Sequence, residues 1–416
     1  MKPKQKLHYA WVICICCSLA MFCVAGLTST CFSVFSPYLI SQAGLSGAQT
    51  SSLLTIRSLA AFLALFVVTQ YSDKLGLRLG IALGMLVTAL GFLFYAIAGK
   101  SYLLYCVGAA VTGIGYTLGG ITPIAVLFAE WFHTHRSLAM GICSAGTGVS
   151  SILVPQILIP IFEKDSLRTG FLLEAAFVTV VAVLLFVLLR NHPSEKGLSR
   201  LGAEEIGKPV QVRRLPLHRT LSRGDAAWMV AATFLMGIAT IPGPSHISVL
   251  YKTEGFSAES ISLLLSLFGA ALIVGKCLLG QLADRFGSLR ATVPFYLLVL
   301  SGYALCALAG MGSMPLAIAS VLTMGVGCAV GTLCYSMFAG DMCPPEQFGA
   351  TVRTYQLTST LGGMASSFLP GLLADLTGHY MVSYVAFVAI GLVSLGMICL
   401  VYRHLEQQAE GNTAPR

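Results

Sequence analysis

Apolar residues in this chain gather into twelve runs, at 10–36, 50–71, 79–98, 102–128, 138–160, 169–190, 225–250, 259–281, 291–309, 314–339, 348–373 and 382–402. None shows the two-residue alternation of a half-buried strand, and nearly all are long enough to cross a hydrocarbon core about 30 Å thick as a helix. Lipid offers nothing to satisfy a bare backbone amide, so segments that cross it must be helices or a closed barrel, and unbroken runs of this kind predict helices. The first run follows Lys2, Lys4 and Lys6, as the core of a signal peptide would. It is too long for one and no small-residue cleavage site follows, so it is expected to stay as the first span.

The polar positions divide the pattern. A single connection is long, from Arg190 to Arg223, and it carries Pro193, Pro209, Pro216 and eight basic residues. This places an N-terminal six-helix bundle at 1–190, a linker at 191–224, a C-terminal six-helix bundle at 225–406 and a polar, disordered tail at 407–416. The remaining loops are too short to hold a soluble catalytic domain. The expected architecture is an all-α membrane protein of twelve transmembrane helices in two pseudo-symmetric six-helix bundles around a central cavity.

The two bundles repeat one another. Asp73 is followed by Lys74, Gly76 and Arg78, and Asp284, 211 residues later, by Arg285, Gly287 and Arg290. Glu130 lies 57 residues beyond Asp73 and Asp341 lies 57 beyond Asp284, while Gly113, Gly115 and Gly119 share their spacing with Gly325, Gly327 and Gly331. A membrane protein made of two parallel halves usually works by rocking one half against the other around a central site, so transport is the first expectation. The glycines suit close helix packing in lipid, and Pro123, Pro155, Pro160, Pro242, Pro244 and Pro370 can open or bend helices.

Composition supports lipid as the solvent: 56% of the 416 residues are hydrophobic and 10% are charged, against about 25% charged in soluble proteins. With the N-terminus in the cytoplasm, 18 Lys and Arg fall inside, four outside (Lys100, Lys164, Arg168, Lys252) and three within spans. This is the positive-inside pattern, and it predicts a multi-pass protein of the plasma (inner) membrane with both termini cytoplasmic. The net charge of +8 then reflects topology, and no nucleic-acid partner is expected. The thirteen cysteines lie mostly within spans, show no metal-ligand spacing and read as small packing residues; no metal or other cofactor is expected.

At the ends of the spans the repeated loop suggests a gate. An aspartate there can cap a neighbouring helix, and the following arginine can pair with the acid that ends the fourth span. Asp73, Arg78 and Glu130 in one half, and Asp284, Arg285, Arg290 and Asp341 in the other, are therefore expected to form cytoplasmic locks; the plainer alternative is a set of solvated ion pairs worth about 0–1 kcal/mol.

These loops, "DKLGLR" and "GQLADRFGSLR", resemble the loop motif of the major facilitator superfamily, although Thr69 stands where the first copy would begin with glycine. "WFHTHRSLAMGICSAGTG", "GKCLLGQLADRFG" and "LYKTEGFS" are similar to sequences of bacterial carboxylate carriers, the oxalate/formate antiporters and monocarboxylate transporters among them. The resemblance covers nearly the whole chain. It implies a helix-8 cation, here Lys276 followed by Gly280, that binds the substrate carboxylate. It places Tyr355 where oxalate–formate antiporters have a helix-11 lysine.

The residues argue the same way from physics. Lys276 lies eight residues before Asp284, about 12 Å from the helix end and near the midplane. Arg57 falls in the outer part of the second span and Arg353 about one turn into the eleventh. A charge inside the membrane costs at least about 2.5–3.5 kcal/mol, so it is normally paired or functional. Glu174, in the sixth span, can pair with Arg57, which makes both structural, or carry a coupling proton. Lys276 can bind a substrate anion or snorkel to the cytoplasmic face. Shifted by the repeat, Lys276 corresponds to Leu65 and Arg57 to Phe268, so these charges are not part of the shared scaffold. His246 can carry a proton or line the outer vestibule. Tyr116 and Tyr335 can donate hydrogen bonds to a carboxylate, and Tyr38 suits an interface anchor.

No nucleotide-binding loop or other enzymatic motif is present outside a span. The expected function is secondary active transport of a small organic anion, most simply a monocarboxylate, by a monomer that also uses a coupling proton or a counter-transported anion. A proton-coupled drug exporter, or a non-transporting membrane sensor or partner-binding protein on the same scaffold, are the alternatives.

Overall fold

The computed structural model describes residues 8–164, 166–203, 221–247, 250–251, 254–308, 312–366, 369–377, 379 and 381–411. Lys2, Lys4 and Lys6, residues 204–220 of the expected linker and residues 412–416 of the expected tail lie outside them. The chain separates into two compact units, Met1–Lys208 and Pro209–Arg416. Among the described residues each unit is built of helices, with one isolated bridge between Phe132 and Leu201.

In the first unit, α1 (Tyr9–Met21) continues into a π-helical segment (Phe22–Thr30) and α2 (Phe32–Ser41). Then come α3 (Gly47–Ala64), α4 (Val68–Leu75), α5 (Leu77–Ala98), α6 (Tyr102–Gly119), α7 (Ile121–Trp131), α8 (Arg136–Lys164) and α9 (Leu167–Leu188). In the second unit, α10 (Arg223–Thr240) and α11 (Pro242–Ser245) precede α12 (Ala258–Phe286), α13 (Ser288–Ala307), α14 (Met314–Gly327), α15 (Val330–Met342), α16 (Phe348–Ser366), α17 (Leu369–Thr377) and α18 (Met381–Gly411). Serine caps start several of these: Ser46 closes a capping box with Gln49, Ser166 accepts from the Thr169 amide and Ser222 from the Asp225 amide.

Among the described residues ten helices, counting α6–α7 and α14–α15 as one each, are long and apolar enough to span a membrane, and α3 and α4 together make an eleventh, bent by 59°. The expected eleventh run, 348–373, is divided between α16 and α17, and α16 carries Thr351, Arg353, Thr354, Gln356, Thr358, Ser359 and Thr360, which dilute its apolar content. Pro242 behaves as expected, since α10 ends at Thr240, just before the Ile241–Pro242 bond. Pro155 and Pro160, by contrast, sit inside the continuous α8. The tail expected from residue 407 instead prolongs α18 as far as Gly411.

The sequence repeat is reproduced at the level of individual contacts. A Cβ built on Gly113 would lie 2.2 Å from the carbonyl oxygen of Arg57, and one on Gly325 would lie 2.7 Å from that of Phe268. Gly115 meets the Thr88 amide nitrogen at 2.6 Å and Gly327 meets the Val299 amide nitrogen at 2.2 Å. Arg57 and Phe268, like Thr88 and Val299, are repeat partners. Each unit therefore brings its α3/α6 and α5/α6 pairs, or their counterparts α12/α14 and α13/α14, into backbone contact at matching glycines, the packing mode available where lipid gives helices no hydrophobic drive to associate. The loop motif repeats too: Gly76 (φ 75°) and Gly287 (φ 91°) each join two helices in a conformation that glycine adopts without strain.

The expected lock in the first unit is not assembled. Arg78 donates from Nε to the Phe186 carbonyl at 2.6 Å, its guanidinium lies 4.4 Å from the Phe186 ring centre, and its amide donates to Asn191 Oδ1. Glu130 instead accepts from Arg200 Nη2 at 3.0 Å and faces His192 Nδ1 at 3.4 Å. Asp73 is exposed. The reason is that residues 190–203, expected to be linker, are strapped to this end of the unit. Leu201 donates its amide to Trp131 O and accepts from the amides of His133 and Thr134. Trp131 Nε1 donates to the Arg190 carbonyl at 2.9 Å, and Lys196 stands 5.2 Å over the Tyr9 ring. A turn at Pro193–Lys196 is closed by Glu195, which accepts from the amides of Asn191 and His192. In the second unit, Asp341 accepts a hydrogen bond from Tyr402 at 2.8 Å, Arg285 lies against the Phe286 ring, Asp284 is half-buried in the last turn of α12, and Arg290 is exposed in the first turn of α13.

Two outcomes follow. Gly327→Ala, which would force its new methyl onto backbone, should lower stability by about 1–3 kcal/mol, whereas Gly396→Ala, which meets nothing within 4 Å, should change it by less than about 0.5 kcal/mol; thermal unfolding in detergent separates them. Asn191→Ala removes the acceptor of the Arg78 amide and should cost about 1 kcal/mol and hasten tryptic cleavage after Arg200, read by peptide mass.

Candidate functional site

In the first unit the polar interior is built on the α3–α6 contact. Because Gly113 has no side chain, Arg57 is held close to α6, and its guanidinium sits 5.4 Å from the centre of the Tyr116 ring. A cation over a tyrosine face is stabilised by the ring quadrupole, more so away from water. Both residues are half-buried. Arg57 and Tyr116, each expected to face substrate, lie against one another.

Glu174 sits in the second turn of α9, 4% exposed, and neither carboxylate oxygen has a hydrogen-bond partner. An Arg57–Glu174 hydrogen bond, expected as one reading of the sequence, is not formed. Tyr95 of α5 stands within electrostatic range of both. Its ring packs against Phe171 at 5.3 Å and Tyr105 at 5.9 Å. Sequence reasoning missed Tyr95; its position 79 residues before Glu174 carries no signal of a meeting between α5 and α9. Beside Glu174 runs the π-helical segment with Cys23, in which the Cys31 amide reaches back five residues to the Gly26 carbonyl at 3.0 Å. Such wide turns are rare and concentrate at functional sites.

In the second unit Lys276 lies in the middle of α12, 3% exposed, close to Cys328 at the break between α14 and α15. Its neighbour Gly275 packs on the backbone of Val326. That burial removes the alternative in which the ammonium reaches the aqueous face. At the equivalent place in the first unit, Leu65 ends α3 at the 59° bend, while α12 is unbroken at Lys276. The two halves differ in shape where they differ in charge.

The other candidates are placed as follows. Tyr335 and Ser359 share a hydrogen bond of 2.7 Å that joins α15 to α16. Tyr355 is buried on α16 and directs its hydroxyl to the Met342 sulfur at 3.9 Å, so its hydroxyl is turned to α15. Arg353 is half-buried, with its Nε enclosed and without a hydrogen-bond partner. His246 follows α11, with Nδ1 3.0 Å from the Pro242 carbonyl. A carbonyl only accepts, so Nδ1 carries the proton and Nε2 is left for another group. Tyr38 packs against Phe162.

Comparison with known proteins agrees with this construction. Monocarboxylate transporter 13 of Bos taurus is 28% identical over 334 residues, covering 79% of this chain and 74% of that protein. Monocarboxylate transporter 12 of Homo sapiens is 21% identical over 399 residues, covering 90% and 77%. The solved proton:xylose symporter XylE, bound to 6-bromo-6-deoxy-D-glucose, superposes with a TM-score of 0.73 at 15% identity over 93% of this chain and 94% of that one, which speaks for a shared fold. The model of the Major Facilitator Superfamily matches residues 17–367 and, in a second match, residues 240–416. With its repeated halves, membrane-spanning helices and charged interior, the chain belongs to the Major Facilitator Superfamily and is a multi-pass secondary transporter.

Proposed function

We propose that the protein carries a small organic anion, a monocarboxylate in the first instance, and that Lys276 binds its carboxylate. The observation that carries this is a lysine side chain 3% exposed in the middle of a membrane-spanning helix, at a position where the other half of the repeat has Leu65. A substrate carboxylate reaching this buried cation would gain a charge-assisted contact in a water-poor interior. The relatives named monocarboxylate transporters support the same cargo class.

Arg57, backed by Tyr116, supplies positive potential in the first unit, and Arg353 and His246 Nε2 supply polar groups in the second. Lysine offers a point charge where arginine would offer a planar fork, so the site suits a single carboxylate better than a paired one. The excess of basic residues on one side of the spans supports a cytoplasmic location for both termini. Energy comes from a gradient of protons or of a second anion.

The test is counterflow of radiolabelled lactate, acetate and pyruvate in proteoliposomes, with primary amines as controls. Lys276→Met should reduce exchange at least about a hundredfold, the effect of losing a buried charged contact of about 3 kcal/mol, while leaving a monodisperse protein. Lys276→Arg should retain measurable exchange with altered affinity. Wild-type exchange by Lys276→Met, or exchange of amines alone, overturns the assignment.

A further inference from the structure

Tyr9, at the start of α1, donates its hydroxyl to the Leu188 carbonyl at the end of α9. The start of α9, 22 residues away, therefore lies about 33 Å off, at the opposite end of the first unit. A cavity of about 470 Å³ opens there between the end of the first span, the α5–α6 turn and the start of α9. The neutral polar groups of its wall are already engaged with the protein. Gln42 donates to the Phe162 carbonyl at 2.7 Å and accepts from the Leu167 amide at 3.3 Å. Ser166 accepts from the Thr169 amide, and Tyr105 donates to the Gly99 carbonyl at 3.3 Å.

Lys100 and Arg168, which also line the cavity, are different. Both are exposed, and among the described residues neither makes a hydrogen bond or an ion pair. The described part of the lining contains no acid. Basic residues are scarce at this side of the spans, which carries four of the 25 Lys and Arg of the chain, so two in one cavity is a concentration that topology does not demand. What the cavity has left to offer a ligand is positive charge.

The wall beside those cations is apolar and turned outward. Ile97 lines the cavity and is 60% exposed, and from it Leu93, Leu90 and Leu86 continue along α5 at intervals of four and three residues, all exposed. This is a stripe on one face of a membrane-spanning helix. On α9, Leu172 stands one turn beyond Arg168 and is exposed as well. The cations thus sit where a lipid-facing surface reaches its polar end.

We propose that this cavity binds the headgroup of an anionic phospholipid, with Lys100 and Arg168 on its phosphate and an acyl chain along the α5 stripe. Arginine meets a phosphate through two parallel N–H bonds and lysine as a point charge, and basic pockets at the ends of membrane helices suit lipid headgroups. A soluble anion would meet the same cations and leave the apolar stripe unused. A lipid held in this way ties the α5–α6 turn to the start of α9. The site does not depend on what the protein carries.

The test is native mass spectrometry of delipidated protein in a neutral detergent, titrated with phosphatidylglycerol or phosphatidylcholine of the same acyl chains. Wild-type protein should retain phosphatidylglycerol in preference. Lys100→Gln and Arg168→Gln should each weaken its tightest binding about fivefold, and together about thirtyfold. Lys74→Gln, which removes an exposed cation at the other end of the unit, should leave it unchanged. Both lipid-site positions are exposed, and equal unfolding temperatures without lipid check that the variants are folded. Equal retention of the two lipids, or phosphatidylglycerol binding untouched in the double variant, overturns the proposal. A thermal-shift arm with glycerol phosphate, which has the headgroup and no chain, separates the sources. If it raises the unfolding temperature of wild type as much as phosphatidylglycerol does, the occupant is a soluble anion and the lipid assignment falls.

Discussion

Between helices in a bilayer there is no water to expel, so helices hold together only where their surfaces come close enough for dispersion forces and backbone contacts to act. In this protein that approach is made at glycines. Gly113 on the Arg57 carbonyl, Gly115 on the Thr88 amide, and their counterparts Gly325 and Gly327 set the separation of the central helices in each unit. Everything functional is suspended from these contacts. Arg57 faces Tyr116 because its own backbone is pressed against α6, and Lys276 is enclosed because Gly275 lets α12 lie on Val326.

The scaffold is duplicated and the chemistry is not. Gly76 and Gly287 take the same positive-φ conformation where two helices join, so the repeated loop is a shared backbone turn. In the first unit the charges expected to form a lock go elsewhere: Arg78 to Phe186 and Asn191, and Glu130 to Arg200 and His192. Charges within the membrane occur without repeat partners: Lys276 corresponds to Leu65 and Arg57 to Phe268. A duplicated frame with unduplicated charges lets each half take a separate task.

Much of this could be read from the chain. Long apolar runs without alternation define spans, because lipid allows few other structures, and the repeat, offset by 211 residues at the loop motif and 212 at the glycines, locates backbone contacts as well as motifs. The burial of Lys276 followed from its distance to the helix end. What escaped has a common cause: it depends on side chains meeting from distant parts of the sequence. Tyr95 beside Glu174, Asn191 on Arg78 and Leu201 between Trp131 and Thr134 are such meetings, and a polar stretch with prolines reads as linker whether or not it docks. The bend at Leu65 and the wide winding at Phe22–Thr30 escaped for another reason, since neither contains a proline to announce it.

That wide winding has a mechanical meaning. A π-helical stretch holds more residues per turn than the α-helices on either side, so it stores length as slack. Were it to tighten by one residue, the part of the first span beyond it, Phe32–Ser41, would turn by roughly the 100° that one residue occupies in an α-helix. Nothing would need to unfold. The first span therefore contains its own screw thread, wound beside the buried acid and able to convert a small local change there into rotation of the helix end facing the opposite side of the bilayer.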